Sequence, residues 1–578
     1  MLKKTISSSN KYTSKLLTRV IILLFIFFSF HSYTYANDLY SQIESFRADY
    51  SALNRKYTNK NSSEYYERIE KLYQDWIINL ENIEFNNLNK DGQVDYLLFK
   101  NKLNKELHFL NLDYTSYKEI SHVADFSEPL QKFYTDRRSG IKPNGKELSN
   151  IFNHTTQTIK KRHQELKQSK PFNSWQKAEL ASETIKSLRE TVDEAYHFYL
   201  DYDPDFSWWM KEPFQNLVAE LSTYENFLKD HFENTLVKDD GSGIIGRPIG
   251  KAAILKELEF EYIPYDPEAL IAEAEKQFEW CEKEMLLASN ELGFGDNWKE
   301  ALEHVKNTYV PPGQWPEDIK FLAEEAISFV EDRDLVTVPE LAKETWRMRM
   351  MTPEAQRINP FFLGGEVIQI SYPTSSMSHE EKMMSMRGNN PHFSRATVQH
   401  ELIPGHHLQG FMTQRYLPYR RFFSTPFWTE GWALYWEFNL WDKDFPRSAE
   451  DKVGMLFWRM HRCARIIFSL NYHLEKMTPQ ECIDFLVEKV GHERANAEAE
   501  VRRSFEGRYG PLYQIAYMIG GLQFYALNNE YVKSGNMTEK DFHDFILQQN
   551  SIPVELIKLR LSGDEIHKDY ITSWKFLD

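Results

Sequence analysis

Between His400 and Glu437 the chain reads HELIPGHHLQGFMTQRYLPYRRFFSTPFWTEGWALYWE. Whatever fold forms must accommodate three histidines, a Pro-Gly break and an apolar helix with an acid at each end. The common zinc-hydrolase helix carries two histidines at i and i+4, with a glutamate beside the first as general base. His400 and Glu401 fit that start, but the i+4 position is Pro404. An ideal helix turns about 100° per residue, which leaves His406 about 120° away from the face of His400. His407 returns to that face, roughly two turns along. Pro404 removes a helical hydrogen bond, and Gly405 accepts backbone conformations that other residues resist. A distortion at 404–405, of the π type, would swing His406 toward His400. His406 is therefore the expected second ligand, with His407 in reserve.

A catalytic zinc site takes three protein ligands and a water. Glu430 opens Glu430-Gly431-Trp432-Ala433-Leu434-Tyr435-Trp436-Glu437. An acid in so apolar a run is costly unless a cation meets it, and a metal ion is a natural partner. Glu437, two turns on, would orient a ligand histidine from behind. One isolated histidine would be read as structural. Two such motifs in one short window favour a metal centre built from His400, His406 and Glu430.

These residues resemble family 885 of the domains of unknown function, a group of bacterial secreted proteins and lipoproteins. The resemblance is carried by His400 to Gln409 and by Glu430 to Glu437. Phe329 to Pro339 and Pro511 to Gly520, which ends Ala516-Tyr517-Met518-Ile519-Gly520, support it. It extends from near Gly246 to Gly520. It implies a metallopeptidase-like domain related to the gluzincins, with a helical body and a small sheet beside the site. By motif similarity it makes Tyr517 the first candidate for the oxyanion donor, with His407 and His473 as alternatives. Two departures bear on the substrate surface. A DGSRPG-like stretch is absent between Gly364 and Arg395, and a Pro-Gly-Gln before the late tyrosine reads Pro511-Leu512-Tyr513.

The 578 residues suffice for one large unit, and 42% hydrophobic content provides an ample core. Residues 1–36 have the pattern of a secretory signal. Lys3, Lys4, Lys11, Lys15 and Arg19 precede the apolar run Val20 to Phe28, and Thr34-Tyr35-Ala36 ends on a small residue. The run is short for a membrane span, so no stable span is expected after cleavage; an uncleaved anchor is the competing reading. Removing this segment, with five basic residues and no acids, takes the formal charge from −16 to −21. Such an acidic chain is a poor partner for nucleic acid or anionic lipid. Three cysteines make no disulfide framework. Free buried thiols are expected, with Cys463–Cys482 the one bridge considered.

Residues 37–240 read as amphipathic helices, and 241–578 as a zincin-like catalytic region packed with them into one unit. Trp208 and Trp209 are expected to pack between helices. Asp239 to Gly246 contains GxGxxG, but two acids stand where a dinucleotide loop needs a buried strand, so it reads as a linker. Asp266 caps a helix that Gly293 ends. Residues 366–372 alternate like a strand, offered as an edge that adds a substrate backbone. A Met-rich polar loop follows to Arg395. Helices are expected over 451–474, 495–503 and 513–527, and Thr478 opens a capping box. Arg459, Arg462 and Arg465 share a helical spacing and would neutralise acids near the site, bind a substrate carboxylate or form a solvated face. No GxSxG elbow or phosphate-binding GxxxxGK[ST] is present.

The sequence thus predicts a mainly α, zincin-like multi-helical metallopeptidase with a small β-sheet beside the metal. It would be exported to the periplasm or beyond and act on a peptide or small amide substrate. Zn²⁺ would be held by His400, His406 and Glu430. Glu401 would be the general base, and Tyr517 or His407 the oxyanion donor. The alternatives are an esterase or amidase acting on small or cell-wall substrates at the same site, and a non-catalytic metal-binding protein.

Overall fold

Apolar residues at helical spacing in the first part of the chain close into long helices. They include Ser63–Glu81, Lys90–Ile120, Gly145–Leu166, Trp175–Tyr199 and Pro204–Leu228. Each begins where a short polar side chain takes up an orphan backbone N–H: Ser62, Asn89, Asn144, Ser174 and Asp203. The computed structural model describes residues 38–356, 361–506 and 509–577. The secretory-type segment 1–36 lies outside the described residues. Among those described, no helix is long and apolar enough to cross a membrane.

Among the described residues the chain is mainly helical, with one three-stranded sheet. The stretch over 237–249 is irregular, and Asp239 Oδ1 accepts from the backbone of Gly241 and Gly243. One hydrophobic core nevertheless runs from Leu39 to Phe576. Asp95, on Lys90–Ile120, meets Arg420 at 2.7 Å, and both side chains are fully buried. Removing one partner of such a pair would leave an uncompensated charge, at a cost of about 3–5 kcal/mol.

The sheet comprises β1 (Arg347–Met350), β2 (Phe362–Leu363) and β3 (Val367–Ile370), in the order β1-β3-β2. β1 runs parallel to β3 and β2 antiparallel to it. The stretch expected as an edge is therefore the centre, and β1 and β2 are the outer strands, of which β2 borders the cleft. The alternation at 366–372 was a correct strand signal. Its place in the sheet follows from two partners that are too short to show in the sequence. The Met-rich segment is also not a loop throughout: His379–Gly388 is helical behind a capping box of Ser378 and Glu381. Trp208 does not pack between helices but stands 80% exposed. All three cysteines are free and buried, and Cys463 lies against Cys281 rather than Cys482.

Six helices position the site: α1 (Pro391–Glu401), α2 (His406–Thr413), α3 (Pro426–Trp441), α4 (Ala449–His473), α5 (Arg494–Phe505) and α6 (Tyr513–Asn528). α3 is buried on nearly every side, with Trp428, Trp432 and Trp436 fully enclosed. Its closest neighbour is α6, which it meets through Gly431 and Gly520. A Cβ on Gly520 would stand 2.0 Å from the Phe427 carbonyl oxygen, and one on Gly431 would stand 2.6 Å from the Gly520 backbone. The two backbones can approach only because both residues lack side chains.

Gly520→Ala should therefore push α6 off α3 and lower stability by roughly 1–3 kcal/mol, the usual overpacking cost. A clear drop in thermal midpoint is expected, and an unchanged midpoint would contradict the close helix contact.

Candidate metal centre

His400 occupies the last turn of α1, and Glu401 ends the helix. The expected π-type bulge is replaced by a full break. The backbone turns at Leu402, crosses a cis Ile403–Pro404 bond and restarts as α2 at His406. Gly405 N–H donates to the Gln399 carbonyl at 3.0 Å, and a Cβ at Gly405 would collide with the His400 carbonyl. Trp432 on α3 donates its indole N–H to the Pro404 carbonyl at 2.9 Å, fixing the break against the helix that carries Glu430.

This turn decides between the two candidate histidines. His406 faces His400, with ring centroids 4.8 Å apart and planes at 85°. His407 points away, its Nε2 donating to the Ala342 carbonyl at 2.7 Å. Restarting the helix resets the rotation, so distance along an ideal helix no longer applies. His407 is thereby removed both as a reserve ligand and as an oxyanion donor. His473, the other alternative, is buried outside the cleft that holds His400, and burial lowers its imidazole to about 4.

Glu430 Oε2 lies 3.3 Å from His406 Nε2 and 3.8 Å from His400 Nε2. One ligand atom from each residue lies within 4.8 Å of the others. Ligand atoms about 2.0–2.1 Å from a tetrahedral zinc would be roughly 3.4 Å apart, so the three need only small adjustments. The donor set also suits the ion chemically. Glu430 Oε2 is buried with no hydrogen-bond partner, while Tyr513 donates to Oε1. An orphan carboxylate oxygen aimed between two imidazoles is costly unless a cation joins it. Burial would raise the Glu430 carboxyl, but His406 and His400 outweigh it and hold it well below the usual range. His400 Nδ1 donates to Glu437 Oε1 at 2.8 Å, which leaves Nε2 turned to the cluster. Gln409 fixes His406 through Nδ1.

The cluster opens into a cleft of about 280 Å³. Glu401 lines it, as do Phe362 and Leu363 of β2 and the phenols Tyr513 and Tyr517. Gly364, just beyond β2, makes room for Glu401: a Cβ there would stand 1.9 Å from Glu401 Oε2. Tyr517 donates to the Tyr513 hydroxyl at 3.3 Å. Burial raises Tyr517 to about 12 and Tyr513 further above its ordinary value, so both phenols keep their protons at neutral pH.

Arg462 and Arg465 of α4 also line the cleft, whereas Arg459 turns elsewhere to Trp280 and Phe438. Sequence reasoning missed Tyr513, Gly364, Glu500 and Arg503. Tyr513 stands one helical turn before Tyr517 on the same face, a spacing that could have found it. For the others no local signal exists, because their elements meet only in three dimensions.

The fold and the cluster together define a mainly helical protein with a two-histidine, one-glutamate metal-type site. A family described as bacterial protein of unknown function (DUF885) matches residues 47–561, and the chain belongs to it. Solved structures similar to it include two bacterial proteins. One is a putative lipoprotein of unknown function from Shewanella oneidensis, with 18% identity, 91% of this chain and 100% of that one covered, and a TM-score of 0.66. The other is the putative lipoprotein from Colwellia psychrerythraea, with 14% identity, 87% and 91% covered, and a TM-score of 0.55. Likeness at these identities concerns the fold. No curated protein matches the chain.

Burial alone would lower the His400 imidazole, but the nearby Glu430 carboxylate and the hydrogen-bonded Glu437 prevail and raise it to about 9. In the metal-free protein it is protonated at neutral pH. A metal ligand must be neutral, so zinc uptake should expel about one proton at pH 7–8. Apparent zinc affinity should rise with pH up to about 9. Calorimetric titration in buffers of differing ionisation enthalpy measures this; uptake without proton release would contradict the assignment of His400 as a ligand.

Proposed function

We propose that this chain is a zinc-dependent hydrolase of the zincin type that cleaves peptide or amide bonds outside the cytoplasm. The observation that carries this reading is the convergence of His400, His406 and the orphan Oε2 of Glu430 beside a free acid, Glu401, in one open cleft. Zinc bound there would lower the pKa of a water toward about 7 and polarise a carbonyl. Glu401 takes the proton from the attacking water and passes it to the leaving amine. Gly364 leaves that carboxylate room beside the strand end. Tyr517, with Tyr513 beside it, offers an O–H to the developing oxyanion. The unpaired side of β2 is suited to hold a substrate backbone in extended form, the role first assigned to residues 366–372. The leader-like segment 1–36 and the lipoprotein description of these two solved neighbours support export.

Glu401→Gln should keep its zinc and lose roughly 10²- to 10⁴-fold in turnover on a peptide library. Gly364→Ala should act in the same direction by displacing the Glu401 carboxylate. His400→Ala and Glu430→Ala should lose the metal, measured by elemental analysis. Full activity in Glu401→Gln would refute the general-base role. Activity confined to an ester panel would place the site with esterases instead.

A further inference from the structure

Three guanidiniums, Arg462, Arg465 and Arg503, line the same cleft as the metal cluster. Arg462 and Arg465 are only 5% and 4% exposed. Burying three like charges together is costly unless anions offset them. Two carboxylates stand behind them. Glu437 lies 3.5 Å from Arg462 and is also bonded to His400. Glu500 accepts from Arg465 at 2.7 Å and lies 3.8 Å from Arg503. Burial would raise Glu500, yet Arg465 and Arg503 hold it down to about 2, so it is fully ionised. Among the described residues, three cations therefore share two anions, one of them already engaged by a histidine. Each guanidinium also keeps a buried nitrogen without a partner: Nε of Arg462, Nη1 of Arg465 and Nε of Arg503.

These charges lie one aromatic ring from the metal cluster. The Arg465 guanidinium is 4.5 Å from the centroid of the Tyr517 ring and that of Arg462 is 5.0 Å from it. The Tyr517 hydroxyl leads through Tyr513 to Glu430. The remaining acids of the cleft are Glu401 and Glu430. The cleft thus carries a metal-type cluster and, beside it, three guanidiniums against two carboxylates, an excess of one positive charge.

We infer that Arg503, with Arg465 and Arg462 behind it, receives a single carboxylate of the substrate, close to the scissile bond. The planar fork of a guanidinium matches a carboxylate in shape, and one uncompensated charge matches a monoanion. This inference rests on the hydrolase reading only for the position of the scissile bond; the anion site stands on its own geometry. The favoured substrate would be a short peptide ending just past the cleaved bond, or one with an acidic side chain at that position. Of the three arginines, Arg503 has the greatest access, with its side chain 21% exposed and one nitrogen donating to the Tyr509 hydroxyl at 3.3 Å.

The test is calorimetric binding to zinc-loaded, full-length Glu401→Gln protein, which cannot consume its ligand. The probes are the dipeptide Ala-Phe as free acid, Ala-Phe amide, and Ala-Glu amide. The free acid should bind roughly 10- to 100-fold more tightly than Ala-Phe amide, the range of one charge-assisted hydrogen-bond set. Tight binding of Ala-Glu amide would assign the site to a side-chain carboxylate, and weak binding would assign it to the chain terminus. Adding Arg503→Gln should erase the preference for the acid while leaving zinc content unchanged. Equal binding of acid and amide would overturn the inference without any variant. So would a preference that survives Arg503→Gln, since the carboxylate would then sit on the metal. If the preference is found but the wild-type protein cleaves no peptide, the carboxylate site stands and the hydrolase reading falls.

Discussion

Glu430 is an acid on a helix whose other faces are tryptophan, tyrosine and leucine. Few interactions can hold a carboxylate in such surroundings, and the architecture around it supplies them. Two imidazoles approach Oε2, and a phenol takes Oε1. Each partner is itself fixed from behind: His400 by Glu437, His406 by Gln409, and Tyr513 by Tyr517. Glu437 is in turn neighboured by Arg462. Layer by layer, the compensation of one buried charge arranges most of the polar groups in the centre of the protein.

That compensation works only if four separate backbone segments come close. α3 and α6 meet through Gly431 and Gly520, which sets the Tyr513 phenol within reach of Glu430. The break after Glu401 lets two consecutive short helices point a histidine each at one spot. Trp432 ties that break to α3 through a single indole hydrogen bond, so the EGW of the second motif serves two ends. Its acid faces the cluster, and its indole holds the turn that aims His406. The larger helical body is joined to these segments through the buried Asp95–Arg420 pair and a shared hydrophobic core.

Much of this was legible in the sequence because the relevant rules are local. Periodicity locates the helices, and the caps at Asp266 and Thr478 fall where short polar residues precede the helical runs. The spacing of Glu437 two turns after Glu430 points to a carboxylate behind a ligand histidine, and the structure shows that histidine to be His400. What failed was non-local. The strand at 367–370 was readable, but its central place depends on two- and four-residue partners with no signal of their own. The Pro-Gly break favours His406 over His407, yet the break takes a form other than the expected bulge. A bulge keeps one helix axis, whereas a restart abandons it. The helix at 379–388 shows how composition can mislead: its Met-rich polar sequence suggested a loop, although Ser378 and Glu381 already spelled a capping box. Arg503 and Glu500 became visible only when α5 was seen against α4.

Two histidines, a glutamate and an adjacent acid are a small set of groups, and the whole functional reading depends on their gripping one ion. Diffraction from crystals grown with zinc, recorded above and below the zinc absorption edge, tests this directly. A single strong anomalous peak should appear about 2.0–2.2 Å from His400 Nε2, His406 Nε2 and Glu430 Oε2. No peak among those three atoms at saturating zinc, or a peak on His407 instead, would contradict it.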